Sequence, residues 1–171
     1  MCAGAKSCID LPRTLERLET LGVPVIGLGT EGDGFPAFWS RRSGWPVPHE
    51  VATADETAAV VRAARALGYA GGLLVVTPVP ERDEVPFDEL TPVIDAALTD
   101  ATAAGISGGA VTPFVIDRIA TATGGRTVAA NLALVEHNAA VAAAIASALA
   151  QPDPPGGAPP SAFGERDPPS R

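Results

Sequence analysis

The sequence predicts an α/β fold in which a parallel or mixed sheet is flanked by helices. Only 5% of the 171 residues are aromatic while 46% are hydrophobic, so the core is aliphatic, which suits Ala-rich helices packed on Val, Ile and Leu strands. Segments with helical periodicity alternate with short aliphatic runs, an order typical of parallel strands. Residues 1–150 are predicted to form one domain, and the seven prolines of residues 151–171 predict a disordered tail.

A helix, a buried strand and a long loop are predicted in the first 48 residues. Asp10 is a typical N-cap before Pro12 in the first helical turn, and Gly22 is predicted to end this helix. The aliphatic run at residues 23–28 predicts a buried strand. Residues 30–48 combine several Gly and Pro residues with four aromatic side chains, so they predict an irregular loop of the kind that often carries function.

The remainder of the domain is predicted to hold one strand and four helices. The strand is the aliphatic run at residues 71–77. The helices are predicted at residues 53–68, capped by Thr53 or Asp55, and at residues 86–104, 112–124 and 127–149, with Thr112 and Thr127 as the last two caps. Thr112 also has a second interpretation, as a contact to a substrate.

The charge and the cysteine content argue against several functional classes. With a net charge of −8 and no basic cluster larger than Arg41-Arg42, the chain is not expected to bind nucleic acid or a membrane. These two arginines remain candidates for binding one phosphate or a neighbouring subunit's acid. The absence of a signal peptide and of an apolar run of about 18 residues, together with only two cysteines, predicts a reduced, cytoplasmic protein.

No metal site is predicted from the residues themselves. The residues considered as ligands lack the paired spacing of a zinc site, and they are Cys2, Cys8, His49 and His137.

Lys6 is the compositional exception, because the other eleven of the twelve basic residues are arginines. A lone lysine is usually a solvated surface residue. In a desolvated pocket, however, an ammonium group yields some free amine, which is a nucleophile, and a guanidinium group cannot do the same. Lys6 is predicted to lie where a strand gives way to a helix, a place where α/β proteins put reactive groups.

Several segments together resemble the C-terminal half of the pseudouridine-5'-phosphate glycosidase family. They extend over about residues 2 to 149 and read CAGAKSCIDLPRTLERLETLGVPVIG, FPAFWSRRSGWPVP, GGLLVVTPVPE, VTPF and TGGRTVAANLALVEHNAAVAAAIA. The resemblance implies reversible cleavage of the C–C glycosidic bond of pseudouridine 5'-phosphate to uracil and ribose 5-phosphate. It also implies a divalent metal, typically manganese, and a homotrimer.

The resemblance also assigns roles to two residues. Lys6 matches the family's nucleophile, which forms an imine with C1' of the opened sugar. This agrees with the chemistry, because a C-glycoside has no oxygen leaving group to protonate, whereas an iminium group activates the C–C bond. Asn131 matches an active-site Asn that contacts the base or the opened sugar. Asn138 lies on the same helical face, and hydrogen bonding to buried backbone is the favoured interpretation for it.

The segments that the family places before the nucleophile are expected to be missing. They hold the general acid, the metal-binding Asp, a Ser/Asp substrate motif and a substrate-binding Lys, whereas Met1 alone precedes the CAGAKS run here. We therefore expect an incomplete sheet and a truncated or split enzyme that is inactive alone, with a separate N-terminal half as its partner and as the source of the metal ligand. The alternatives are an inactive fragment and a non-catalytic binding or assembly module.

Overall fold

Three short strands form a parallel sheet in the computed structural model, which describes residues 1–152. They are β1 (Val25–Leu28), β2 (His49–Val51) and β3 (Leu74–Val76), with β1 in the centre. The predicted α/β class is confirmed, and of the two sheet types the parallel one is observed. The predicted tail, apart from its first two residues, lies outside the described residues.

Strand β2 was not predicted, because it is a short edge strand without an aliphatic run. Its His49 and Glu50 are exposed, and only Val51 is partly buried. Edge strands tolerate charged residues since one face and one edge meet water. The register pairs Ile26 with His49 and Leu28 with Val51, so backbone hydrogen bonding rather than side-chain burial defines this strand.

Five α-helices surround the sheet within the described residues. They are α1 (Leu11–Thr20), α2 (Ala54–Ala66), α3 (Phe87–Ala103), α4 (Val111–Ala122) and α5 (Arg126–Ala150). Two of the predicted caps are confirmed: the Asp10 carboxylate accepts a hydrogen bond from the Arg13 backbone N–H at 3.0 Å, and the Thr53 hydroxyl accepts one from Glu56 at 3.1 Å. The caps stabilise helix ends whose N–H groups have no partner inside the helix.

The predicted caps of α4 and α5 are wrong. Helix α4 begins at Val111, one residue before Thr112, and follows directly from a 3₁₀ turn over Gly108–Ala110. Helix α5 begins at Arg126 after Gly125, whose φ of 82° only glycine adopts readily, so Thr127 lies inside the first turn. Thr127 is buried, and its hydroxyl lies 3.2 Å from that of Thr123 at the end of α4.

Helix α5 corrects the expectation that the chain has no apolar run of about 18 residues, because by length and composition this helix is apolar enough to cross a membrane. In this structure it packs against α2 and α4. Its buried residues are Thr127, Ala130, Leu134, Ile145 and Ala148. Only 17% of its apolar 18-residue stretch is buried within the described residues, so most of this stretch is exposed or partly exposed.

The largest buried cluster joins the first residues of the chain to the helical layer. Ala3 and Trp39 pack in it together with Val79, Val85 and residues of α3, α4 and α5. The start of the chain is therefore held between the end of β3 and the three C-terminal helices.

Candidate active site

The segment that carries Lys6 continues the sheet beyond β3. The Cys2 N–H donates to the Val75 carbonyl and the Thr77 N–H donates to the Cys2 carbonyl, both at 3.0 Å, so Cys2 forms a parallel bridge with Val76. Helix α1 begins at Leu11. Lys6 thus lies between a strand-like bridge and a helix, the position that the sequence predicts.

The loop of residues 30–48, here called the aromatic loop, crosses this segment directly. The Phe38 N–H donates to the Ala3 carbonyl at 3.0 Å, and the Ser7 hydroxyl donates to the Ala37 carbonyl at 2.6 Å. Gly4 forms an antiparallel bridge with Ala37. These non-local contacts hold the residues on both sides of Lys6 against the loop.

The opposite side of the aromatic loop is hydrogen-bonded to the segment that follows β3. The Val85 N–H donates to the Trp39 carbonyl at 2.9 Å, and the Ser40 hydroxyl donates to the Val85 carbonyl at 2.6 Å. The Arg41 N–H donates to the Glu84 carboxylate at 2.8 Å. The loop is therefore fixed at both faces, although it contains no regular secondary structure.

Asp33 binds both arginines of the loop. Arg41 donates to Asp33 Oδ2 from Nη2 at 2.8 Å and from Nε at 3.1 Å, and Arg42 Nε donates to Oδ1 at 2.6 Å. Burial acts to raise the pKa of Asp33, but the hydrogen bonds from Arg42 and Arg41 outweigh it and hold that pKa below its usual range. The partner of Arg41 and Arg42 in this structure is thus an acid of their own loop.

An Asp33→Asn variant is expected to destabilise the chain in a pH-dependent way. Because the pKa of Asp33 is lowered on folding, its carboxylate contributes stability above the pKa of an unfolded Asp, about 4, and loses that contribution as the pH falls through the folded value. The difference in free energy of unfolding between wild type and variant should therefore be largest at neutral pH. Urea unfolding at several pH values measures it, and a difference that does not shrink towards pH 3 contradicts the assignment.

Lys6 and Asn131 line the same cavity, which has a volume of about 290 Å³. Its lining residues are Lys6, Phe38, Trp39, Ile116, Ala120, Thr127, Val128 and Asn131. The aromatic loop supplies one wall, α4 another, and the first turns of α5 the third. Side chains from the two ends of the domain therefore meet at one opening.

The Lys6 ammonium faces an aromatic ring. Its Nζ lies 5.9 Å from the centroid of the Phe38 ring, and within residues 1–152 no carboxylate forms an ion pair with it. Arginines of the same range do form ion pairs, among them Arg13, Arg41, Arg42, Arg82, Arg118 and Arg126. Burial raises the pKa of the nearby Cys8 thiol, while the Lys6 charge acts in the opposite direction.

Two other candidates, Thr112 and Asn138, do not line this cavity. Thr112 is not among its lining residues. Asn138, for which a hydrogen bond to buried backbone was expected, has a buried Oδ1 without a partner in the described part of the chain. No three His, Cys, Asp or Glu side chains within residues 1–152 come together in a way that holds a metal ion.

Six wall residues were not identified as site residues from the sequence, and two of them, Phe38 and Trp39, lie in the loop that was predicted to carry function. Thr127 and Val128 precede Asn131 by four and three residues, so helical periodicity would have placed them beside it. Ile116 and Ala120 share a face of α4, but nothing in the sequence relates that face to Lys6.

A comparison with known protein families shows which family this chain belongs to. The family model described as "Indigoidine synthase A like protein" matches residues 1–148. The chain belongs to this family. The resemblance to pseudouridine-5'-phosphate glycosidases is also confirmed at the level of sequence similarity, because many curated proteins with that name match the chain.

The curated relatives of this family member are bacterial proteins about twice as long. The chain is 54% identical over 149 residues to the pseudouridine-5'-phosphate glycosidase of Methylobacterium nodulans, covering 87% of this chain and 44% of that protein. It is 51% identical over 150 residues to the protein of the same name from Paracoccus denitrificans, covering 88% and 49%. The chain therefore spans about half the length of the curated relatives that it matches.

Two solved structures of similar proteins share the fold. An indigoidine synthase A (IdgA)-like protein from Thermotoga maritima superposes with a TM-score of 0.73 at 36% identity, covering 84% of this chain and 47% of that one. The prealnumycin C-glycosynthase AlnA, solved in complex with ribulose 5-phosphate, gives 0.79 at 34% identity, covering 86% and 48%. The α/β architecture of this family member is thus shared with both proteins.

Proposed function

We propose that this chain supplies the lysine-bearing part of a pseudouridine-5'-phosphate glycosidase, which reversibly converts pseudouridine 5'-phosphate and water to uracil and ribose 5-phosphate. The joint position of Lys6 and Asn131 on one cavity carries the proposal. The names of the curated relatives support the reaction class. Because the chain spans about half of their length, the activity and the substrate of those proteins enter here only as parts of the proposal.

Lys6 acts in this proposal as the nucleophile, through its neutral amine. Its Nζ bonds to C1' of the sugar while the C1'–O4' bond breaks, and the proton that Nζ then releases converts O4' to a hydroxyl group and leaves a neutral secondary amine. Protonation of C5 of the base then allows the C1'–C5 bond to break, its electron pair returning to the base while the nitrogen lone pair forms the iminium group. Water finally hydrolyses the iminium group, which releases ribose 5-phosphate and restores the amine.

Asn131 is proposed to orient the base or the opened sugar. An amide side chain both donates and accepts hydrogen bonds, as the edge of uracil does. Asn131 is exposed and lies one turn into α5, so it is free to contact a ligand in the cavity without losing a structural role in the core.

The proton for C5 has to come from outside the described lining. The cavity wall contains no Asp, Glu or His side chain. Next to it α5 exposes an apolar face made of Val128, Leu132 and Val135, whose exposed fractions are 52%, 64% and 56%. We therefore propose that a complementary chain, equivalent to the family's N-terminal half, covers this face and contributes the acid.

A divalent metal, manganese by resemblance, belongs to the complete enzyme in this proposal. The described residues do not fit a metal ion, because no cluster of three suitable ligands exists within residues 1–152. Its ligands are therefore assigned to the complementary half, and no step above depends on the metal. The homotrimeric assembly and the cytoplasmic location are further parts of the same proposal.

Borohydride trapping tests the proposal. The chain is incubated with ribose 5-phosphate and borohydride, alone and together with the N-terminal half of the Methylobacterium nodulans relative, and fragment mass spectrometry then locates the adduct. We expect an adduct at Lys6, distinct from one at the terminal amine, and uracil release from pseudouridine 5'-phosphate only when both halves are present. The absence of a Lys6 adduct from both mixtures contradicts the proposal.

A non-catalytic assembly module is the second candidate, because the same exposed face of α5 suits a protein partner. The same experiment separates the two functions. An assembly module binds the complementary half, as size-exclusion chromatography reports, and forms no adduct at Lys6 in its presence.

A further inference from the structure

Phe38 is the one non-glycine residue with a positive φ, 67°, within the described chain. A bulky side chain rarely adopts this left-handed conformation, and its cost persists only where surrounding contacts enforce it. Here the hydrogen bond from the Phe38 N–H to Ala3 and the one from Ser7 to Ala37 enforce it. Such strain concentrates at functional sites, so the orientation that it produces needs a physical explanation.

The strained backbone directs the Phe38 ring to the cation at Lys6. Nζ lies 5.9 Å from the ring centroid. The ring is fixed from the side by Trp39, which is only 2% exposed and packs edge to face at 5.3 Å and 74°. Of the side chains that line the cavity, Lys6 alone is titratable, and its charge also acts on the Cys8 thiol.

An aromatic ring affects this nitrogen differently from a carboxylate. The negative face of the ring attracts a cation, but the ring accepts no proton and forms no salt bridge that would hold the amine permanently as ammonium. It therefore favours the charged imine over the neutral imine, as it favours the ammonium over the amine. The charged imine is the electrophilic form, and it is also the product of C–C bond cleavage.

We propose that Phe38 stabilises the iminium group formed at Lys6 Nζ, in the place where many sites use a carboxylate. This inference rests on the proposed function of Lys6 and adds a second residue to its chemistry. The alternative is that the Phe38 ring is only an apolar wall of the cavity.

The protonation of a model imine distinguishes these roles. Salicylaldehyde forms an imine with lysine whose absorbance reports its proton, and it requires no recognition of a sugar or phosphate. We expect the cation–π contact to favour the protonated imine by about two- to fivefold. A Phe38→Leu variant loses this contact, so the pH at which half of the imine has lost its proton should fall by about 0.3–0.7 units. A Lys6→Arg variant provides the background from the terminal amine.

Two further proteins make the test specific. Replacing Phe38 by 3,4,5-trifluorophenylalanine keeps the ring shape but removes its negative face. This protein should therefore show the same fall in the pH midpoint of imine deprotonation as the Phe38→Leu variant, and it provides the test if the Phe38→Leu variant folds poorly. Phe114 lies under Arg118 at 5.2 Å and is not among the residues that line the Lys6 cavity, so a Phe114→Leu variant should leave the pH midpoint of imine deprotonation unchanged.

An unchanged midpoint in the trifluorinated protein overturns the proposal, as does an equal shift in the Phe114 variant. Because salicylaldehyde needs no substrate recognition, this result is independent of whether ribose 5-phosphate is trapped. A shifted midpoint without a ribose 5-phosphate adduct would support the role of Phe38 and contradict the glycosidase assignment.

Discussion

A Lys6→Arg variant is expected to keep the fold and to form no borohydride-stable adduct with ribose 5-phosphate in the presence of the complementary half. Arginine preserves the positive charge over the Phe38 ring, but its guanidinium group stays protonated and cannot form an imine. Loss of a covalent nucleophile typically costs several orders of magnitude, so uracil release should fall at least about a thousandfold. Mass spectrometry and an assay for uracil measure both effects.

The matched control for this result is an Asn131→Ala variant. Asn131 lines the same cavity but is proposed to orient the ligand rather than to bond to it, so the Lys6 adduct should decrease without disappearing. Normal uracil release by the Lys6→Arg variant would rule out Lys6 as the nucleophile, whatever the behaviour of the control.

A Gly4→Ala variant is expected to lose at least about 3 kcal/mol of stability. Gly4 has a φ of 78°, which alone costs an alanine about 1–2 kcal/mol, and a Cβ at this position would lie 1.7 Å from the Pro36 carbonyl oxygen. Since that oxygen belongs to the backbone, the two segments have to separate. The bridge between Gly4 and Ala37 is then lost, and urea unfolding measures the change.

Gly22→Ala is the control that isolates the steric term. Gly22 has a similar φ of 64°, but nothing lies within 4 Å of the position that a Cβ would occupy. Its substitution should cost only the conformational part, about 1–2 kcal/mol. Equal losses in the two variants would show that the close approach of Gly4 to Pro36 is unimportant.

Local signals were sufficient for most of the secondary structure. Asp10 and Thr53 were predicted correctly as caps because capping depends on residues three positions apart. The starts of α4 and α5 were wrong because the conformations of glycines, rather than hydroxyl side chains, determine them. Strand β2 was missed because its partner, β1, is more than twenty residues away and its own side chains are mostly exposed.

The site was less predictable than the fold, for a physical reason. Family resemblance alone assigned Lys6 and Asn131, and nothing in the local pattern relates them. The conformation of Phe38 depends on a hydrogen bond to Ala3, and the position of the aromatic loop depends on Asp33, Arg41 and contacts beyond β3. Interactions of this kind have no periodicity, so one sequence does not reveal them.

Residues 2–7 contact segments that are distant in the sequence, and these contacts affect the order of folding. Ser7 is bonded to a residue 30 positions later, Cys2 pairs with Val76, and Asn131 completes the cavity. Each contact requires a longer chain loop to close, and closure of long loops slows folding. Lys6 therefore acquires its complete surroundings only when the aromatic loop and α5 have both packed against its segment.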